Sequence, residues 1–225
     1  MPGTNKNLIR SKKKKNKEKM KKRLTDVSGL EKDSKNIISY FVNPILDKDP
    51  ELTKYSIMAK KIYKSDELNN CTYFALKNLA DHHNLELIES ISGTSSFNNC
   101  IKTCIKPEDQ DKFIKLDCEN TRIMLNRIKN TILLNKMVIG GFFLPLSSRS
   151  TRVKETGILD YSWHSKIGHG VAFIGFDDEF LHQGHKGCLI FANNWGKSWG
   201  NKGYGYLPYK FVINKKCYDL WTIKI

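Results

Sequence analysis

No stretch of this sequence is apolar over the ~18 residues that a membrane-spanning helix needs. The N-terminus also lacks the apolar core of a secretory signal, because lysine and arginine dominate its first 24 residues. These two absences argue against an integral membrane protein and against secretion through a signal peptide. We therefore expect an intracellular protein, in the cytoplasm or the nucleus, or one carried in a virion.

Acidic residues are scarce at the N-terminus. Residues 1–24 hold eleven Lys/Arg and one acid, Glu18, so that this segment carries +10 of the chain's net charge of +15. Such a block repels itself and has little apolar surface to bury, which predicts a disordered basic tail. The tail could hold nucleic acid non-specifically or act as a nuclear-import signal, or it could be a solvated arm without a partner. Nucleic acid is at most an accessory partner, because no later segment interleaves basic and aromatic residues like a base-reading surface.

Recognisable metal-ligand spacings are also missing. Cys100 and Cys104, with Cys118, lack a fourth ligand at a spacing typical of zinc sites. The pattern His182-x2-His185-x2-Cys188 has the same weakness. The sequence therefore predicts neither a metal nor another cofactor. Without a secretory signal, we expect the six cysteines to be reduced thiols.

The rest of the chain has the composition of a folded protein. Apolar residues make up 40% of the sequence and aromatic residues 11%, and 225 residues suffice for one large domain or two packed lobes. Pro44 and Pro50 interrupt the segment that follows the tail. We divide the chain into the tail at 1–24, an N-terminal extension at 25–60 and a folded domain at 61–225.

Apolar spacing predicts helices first and strands last. Helical spacing begins at Cys71 and recurs at 120–134, and residues 137–144 read as a fully buried strand. Short β-branched and aromatic segments separated by turn residues then predict an antiparallel sheet, with strands at 169–176, 187–193, 204–207 and 218–223. This order is typical of the α+β class.

Three stretches carry the side chains that a thiol nucleophile needs. Cys71 follows Asn70, a good N-cap, so the thiol is predicted in the first turn of a helix. A helix N-terminus and a nearby imidazolium both lower the pKa of a thiol from its usual value of about 8.5. His169 opens an apolar strand and Asn193 ends the next one, before a Trp-Gly turn. A base and a neutral amide that orients it are the partners of a nucleophilic cysteine.

The motifs resemble those of the papain-like (C1-type) cysteine peptidases. Gly168-His169-Gly170-Val171 is similar to the family's Gly-His-Ala-Val, and Asn193-Asn194-Trp195-Gly196 is similar to its Asn-Ser-Trp-Gly. Cys71-Thr72-Tyr73-Phe74-Ala75 resembles Cys-Trp-Ala-Phe more weakly. His169 and Asn193 follow Cys71 by 98 and 122 positions, fewer than the roughly 130–150 of cathepsins. The chain thus looks like the compact bacterial and large-DNA-virus members.

This resemblance implies a two-lobed fold with a substrate cleft between the lobes. A helical lobe would carry the nucleophile Cys71, and an antiparallel β lobe would carry the base His169 and its orienter Asn193. By the same resemblance Trp195 shields the His169–Asn193 hydrogen bond from water. The implied activity is that of a thiol endopeptidase, a hydrolase acting on peptide or protein substrates.

One position departs from the family pattern. The family has a glutamine six residues before the nucleophile, whose amide binds the oxyanion, whereas this chain has Ser65. The predicted oxyanion hole therefore combines the Cys71 backbone N–H with the Ser65 hydroxyl, or with a neighbouring amide such as Asn69. Loss of one such donor costs about 10²–10³ in rate.

The departure at Ser65 leaves other functions open. One is a weak or inactive papain-fold protein that binds peptide or packs in an assembly, with its basic tail on nucleic acid. Another is an acyl transferase or deconjugating enzyme that uses the same three residues.

Overall fold

A sheet of seven antiparallel strands is the central element of the structure. The structure is a computed structural model, and it describes residues 54–64, 70–88, 93, 96–162 and 164–224. The strand order is β2-β7-β3-β4-β5-β6, and β1 pairs with β4. The strands are β1 Lys54–Ser56, β2 Phe113–Lys115, β3 Val138–Pro145, β4 His164–His182, β5 His185–Ala192, β6 Tyr204–Pro208 and β7 Cys217–Ile223. The α+β class predicted from the sequence is confirmed.

Most of the helices precede the long strands in the chain. They are α1 Cys71–His83, α2 Phe97–Cys104, α3 Pro107–Gln110, α4 Thr121–Leu133, α5 Thr151–Thr156 and α6 Lys210–Ile213, with a 3-10 turn at Leu146–Arg149. Side-chain caps begin three of them. Asn120 accepts from the backbone N–H groups of Arg122 and Ile123 at the start of α4, Ser96 accepts from the Asn99 N–H at the start of α2, and Ser150 accepts from the Val153 N–H at the start of α5.

The predicted elements with the strongest periodicity are confirmed. Helices begin at Cys71 and at Thr121, and β3 occupies the predicted buried strand. The predicted strand at 169–176 is only the middle of β4, which runs for 19 residues because β1, β3 and β5 all pair with parts of it. The structure also contains β1, α2, α3, β2, α5 and α6, which the sequence pattern did not predict.

Helix α1 packs on the sheet at the strands that carry the predicted base. It contacts β3, β4 and α2, and it buries Ala75, Leu76, Leu79 and Ala80 against them. Asn70 occupies the N-cap position, although its side chain makes no capping hydrogen bond to the helix. Cys71 thus belongs to the helical part, whereas His169 belongs to β4 and Asn193 directly follows β5.

Several predictions fall on residues outside the described ranges. These are the basic tail at 1–24, most of the extension at 25–60, and the oxyanion candidates Ser65 and Asn69. The first strand of the sheet, Lys54–Ser56, precedes the predicted domain boundary at residue 61. None of the described helices combines the length and apolar character that a membrane crossing requires.

Candidate active site

The Cys71 thiol lies at the first residue of α1, against the backbone of β4. The Gly170 N–H donates a hydrogen bond to Cys71 Sγ at 3.3 Å. Strand β4 and helix α1 lie close together here, since a Cβ on Gly170 would lie 3.1 Å from both the Cα and the N of Thr72. Gly170 stands where the family pattern has alanine, and the missing methyl group avoids this crowding beside the sulfur.

His169 and Asn193 form a buried pair. His169 Nε2 lies 2.8 Å from Asn193 Oδ1, and the same oxygen accepts from the Asn194 backbone N–H at 2.9 Å. His169 is 4% exposed and Asn193 is fully buried. An amide oxygen only accepts hydrogen bonds, so Nε2 carries the proton and Nδ1 is the nitrogen available to Cys71.

Aromatic rings cover this pair. The Trp195 indole stacks on the His169 imidazole, with ring centroids 4.6 Å apart and planes 28° apart. Trp199 meets Trp195 edge-on at 5.2 Å, and Phe142 meets His169 edge-on at 5.8 Å. Such packing restricts the imidazole to one orientation.

The pKa of the Cys71 thiol reflects both its burial and its partners. Burial raises this pKa, but the hydrogen bond with His169 and the charge of His169, followed by hydrogen bonds from Gly170 and Thr72, outweigh that effect. The result is a pKa lowered to about 7. A substantial fraction of the sulfur is therefore thiolate, the nucleophilic form, at neutral pH.

Comparisons with known proteins identify the family and the fold of this chain. The sequence model of the family described as papain family cysteine protease matches residues 54–218, which is well over half of the sequence. This chain belongs to the papain family. An uncharacterised peptidase C1-like protein of Acanthamoeba polyphaga mimivirus is 32% identical over 104 residues, which are 44% of this chain and 32% of that protein. The match thus spans about a third of the length of this curated relative.

Solved structures share the papain fold with this chain. Xylellain, a cysteine protease from Xylella fastidiosa, superposes with a TM-score of 0.55 at 14% identity, covering 78% of this chain and 89% of that one. The clostridial cysteine protease Cwp84 superposes with a TM-score of 0.53 at 15% identity, and the match covers 77% of this chain and 58% of that one. At such identities the similarity establishes the fold, as predicted from the motifs.

The segment before the nucleophile approaches the tryptophan turn of this papain-family chain. Lys64 pairs with Trp195 in an isolated bridge, and the Gly196 N–H donates to the Tyr63 carbonyl at 3.1 Å. Gly196 has a φ of +83°, which favours glycine, and Lys64 packs against its Cα. The chain therefore enters the stretch that contains Ser65 directly beside Trp195, and Ser65 itself lies outside the described residues.

The other cysteines lie apart from these partners. Cys100 and Cys104 are buried in α2 with their sulfurs 3.9 Å apart, and Cys188 and Cys217 are buried in the sheet. Burial raises the pKa of Cys100 and of Cys217. All six cysteines are free thiols, and within the described ranges no three His, Cys, Asp or Glu side chains group as a metal site would require.

Two residues beside the thiol were missed at the level of sequence. Thr72, which is buried, and Gly170 stand where the family has tryptophan and alanine, and they contact each other next to Cys71. The signal was available, because both positions depart from the family motifs that the chain otherwise resembles. A single departure has little meaning alone, and only the fold shows that the two positions meet.

Proposed function

We propose that this chain is a thiol peptidase that hydrolyses peptide bonds through an acyl-enzyme on Cys71, with His169 as its base and Asn193 as the orienter of His169. The observation that carries the proposal is the convergence of three groups from distant parts of the chain. The Cys71 sulfur lies at a helix N-terminus with a backbone donor at 3.3 Å, beside a histidine whose far nitrogen is held 2.8 Å from Asn193.

In the acylation step the Cys71 thiolate attacks the carbonyl carbon of the scissile peptide bond. The carbonyl oxygen becomes an oxyanion, and the imidazolium of His169 then donates its Nδ1 proton to the leaving amine. Neutral His169 next activates a water molecule, which attacks the thioester and releases the acid and the thiol. The Asn193 oxygen keeps the imidazole in the tautomer that this exchange requires. Trp195 shields that hydrogen bond from water by stacking on the ring.

The oxyanion needs donors that are in place before the reaction. We assign the backbone N–H of Cys71 as one donor, because it belongs to the first turn of α1, where backbone N–H groups have no partner within the helix. The second donor is the Ser65 hydroxyl or the Asn69 amide. The bridge from Lys64 to Trp195 supports this assignment, since it fixes the chain immediately before Ser65 beside the site.

The proposal is tested by the pH dependence of cysteine alkylation. Iodoacetamide is reacted with the full chain between pH 5 and 9, and each cysteine is quantified by peptide mapping. Because its pKa is lowered to about 7, Cys71 should react at pH 6 and gain reactivity as the pH rises through 7. Cys188 and Cys217 should stay inert until the protein unfolds. Equal rates at Cys71 and the buried cysteines at pH 6 would refute the proposal.

A second function is favoured by one observation, the serine at position 65. If Ser65 and Asn69 leave the oxyanion hole incomplete, the chain would be a papain-fold protein that binds peptide without cleaving it. Acylation by an activated ester separates the two functions. A rate equal to that of Cys71→Ala would favour the binding protein, and a faster rate would favour the peptidase.

The basic N-terminal tail provides a further part of the proposal. Residues 1–24 carry a net charge of +10, and we infer that they hold nucleic acid through phosphate contacts without reading its sequence. The rest of the chain has a much smaller share of the charge, +5 over the remaining 201 residues. Binding of this kind weakens steeply with added salt, which makes it measurable apart from the thiol chemistry.

A further inference from the structure

Tyr218 lies on the face of the sheet that carries the Cys71 helix. It is directly opposite Gly141 in the β3–β7 pairing, and Gly141 is directly opposite Gly170 in the β3–β4 pairing. Directly opposed residues of antiparallel strands point to the same face. Gly170 faces Thr72 of α1, so the Tyr218 side chain projects on this face too.

Two glycines make room for the tyrosine ring. A Cβ on Gly141 would lie 2.6 and 2.7 Å from ring carbons of Tyr218, and a Cβ on Gly168 would overlap the Tyr218 hydroxyl. The ring therefore reaches across β3 to β4, where Gly168 directly precedes His169. Phe143 packs on it with ring centroids 5.0 Å apart. The ring is thus held in one place by its neighbours.

The Tyr218 ring lies over the same strand, β4, that contacts the reacting sulfur. Gly168 lies two residues before Gly170 on the same face of β4, and the Gly170 N–H donates to the Cys71 sulfur at 3.3 Å. Burial raises the pKa of Tyr218, and the negative charge of Cys71 adds to that rise. Tyr218 is only half-buried, and Gly168 beneath its hydroxyl is exposed. One side of the phenol therefore faces solvent beside the site.

We propose that Tyr218 is a specificity-determining residue that restricts one substrate residue near the scissile bond to a small side chain, such as Gly, Ala or Ser. The inference rests on the proposed function, because it takes Cys71 as the atom that the substrate carbonyl must reach. An extended peptide advances about 3.3 Å per residue. Gly168 is two residues from Gly170, which contacts the sulfur, so a substrate residue one or two positions from that carbonyl comes within reach of the strip formed by Gly141 and Gly168. The Tyr218 ring already occupies the space above this strip.

Peptide electrophiles test the proposal on the full chain. A set of peptidyl vinyl sulfones has Ala or Phe at each of the two residues that precede the reactive group, and the second-order rate of Cys71 labelling is measured for each compound. In the wild type we expect Ala to be preferred over Phe at one of these positions by about ten-fold or more. Tyr218→Ala should remove this preference, whereas Tyr218→Phe should keep it because the ring remains.

Tyr206→Ala is the matched control. Tyr206 is a half-buried tyrosine of β6 that stacks on Phe180 with ring centroids 5.7 Å apart, on the opposite side of the sheet order from β7. Its removal should lower the melting temperature without changing the Ala/Phe ratio.

The outcomes separate this inference from the proposed function. An Ala/Phe ratio that is the same in the wild type and Tyr218→Ala, or a wild type that prefers Phe, would overturn the role of Tyr218 and leave the peptidase proposal standing. A wild type that no peptide electrophile labels at Cys71 would overturn both. Should Tyr218→Ala fail to fold, Tyr218→Leu provides the comparison, because it shortens the side chain and still packs on Phe143.

Discussion

Cys71 and Cys217 are the same residue type in two different settings. Cys217 begins β7 and is 5% exposed, and burial followed by the negative charge of Asp117 raises the pKa of its thiol. Burial also raises the pKa of Cys71, where it is the largest single effect, yet that pKa ends at about 7. The difference lies in the hydrogen-bond donors and the positive charge, which only Cys71 receives.

The comparison shows that burial and activation oppose each other at a thiol. Removing water disfavours the thiolate wherever it occurs, so a buried sulfur becomes reactive only if donors replace that water. At Cys71 the replacements are the His169 ring, the Gly170 N–H and the Thr72 hydroxyl. Two of these come from β4, about a hundred positions along the chain. Reactivity is therefore a property of the contact between α1 and β4.

The largest expected effect comes from His169→Ala, which makes Cys71 resemble Cys217. Without the hydrogen bond and charge of His169, burial dominates and the thiolate fraction at pH 6 falls. We expect alkylation of Cys71 at pH 6 to slow by about 100-fold. The measurement is iodoacetamide labelling by peptide mapping, with His185→Ala as the control histidine. An unchanged rate would mean that His169 does not set the pKa of Cys71.

A smaller effect is expected from Ser65→Gln, which acts on the oxyanion and not on the thiol. A longer amide donor should reach an oxyanion that a hydroxyl meets poorly, raising acylation by about ten-fold, or ~1.4 kcal/mol of transition-state stabilisation. The alkylation rates of Cys71 and Cys217 should not change. Single-turnover acylation by an activated ester measures the effect, with Cys71→Ala as the blank.

Ser65→Ala and Asn69→Ala complete that experiment. If either side chain already fills the oxyanion hole, its removal should slow acylation, and Ser65→Gln should then be neutral or harmful. Slower acylation in Ser65→Gln together with Ser65→Ala would contradict the idea of an incomplete hole.

Gly170→Ala should have a still smaller effect on the alkylation rate, and this effect should act through the pKa of Cys71. The added methyl group would press on the Thr72 backbone at 3.1 Å and on Phe97 at 3.2 Å, so β4 and α1 must separate slightly. The hydrogen bond from Gly170 to the sulfur lengthens, and the pKa of Cys71 rises. We expect alkylation at pH 6 to slow by about three-fold, with the pH profile moved to higher pH. A profile identical to that of the wild type would exclude this role for the close approach.

Deletion of residues 1–24 should leave the ratio of Cys71 to Cys217 reactivity unchanged. It removes about two-thirds of the net charge and should abolish salt-sensitive binding of duplex DNA. DNA titrations at two salt concentrations, together with the melting temperature, check both expectations. A large fall in the melting temperature would show that the tail packs on the domain, contrary to the prediction of a disordered segment.

The elements predicted from sequence are those whose apolar pattern is long and regular. Helices α1 and α4 and strand β3 follow from their own residues, because burial of one face or of the whole strand is visible in the spacing. Helix α2 was missed although Phe97, Cys100, Ile101 and Cys104 are all buried. Its pattern covers only eight residues inside a polar stretch, which is too short to separate from chance.

The length of β4 could not be predicted from its own residues. Polar residues flank its apolar middle, as at His164, Asp177 and Asp178. The pattern of apolar residues alone would therefore predict only that middle part as a strand. Pairing with β1, β3 and β5 extends it, because each neighbour supplies hydrogen-bond partners to the backbone. Strand length here is a property of the sheet.

The sequence by itself determined the family, the α+β class and the three residues on which the proposed chemistry depends, because motifs and periodicity are local and survive without the fold. The tertiary structure alone decided the contact of α1 with β4, where the Gly170 N–H donates to the Cys71 sulfur, and the position of Tyr218 over Gly141 and Gly168. It also set the geometry of the expected cover on His169, which is a stacked Trp195 indole. Each of these contacts joins residues that are 26 to 99 positions apart in the chain. How closely they approach depends on side-chain volume and on the orientation of a ring, which only packing sets.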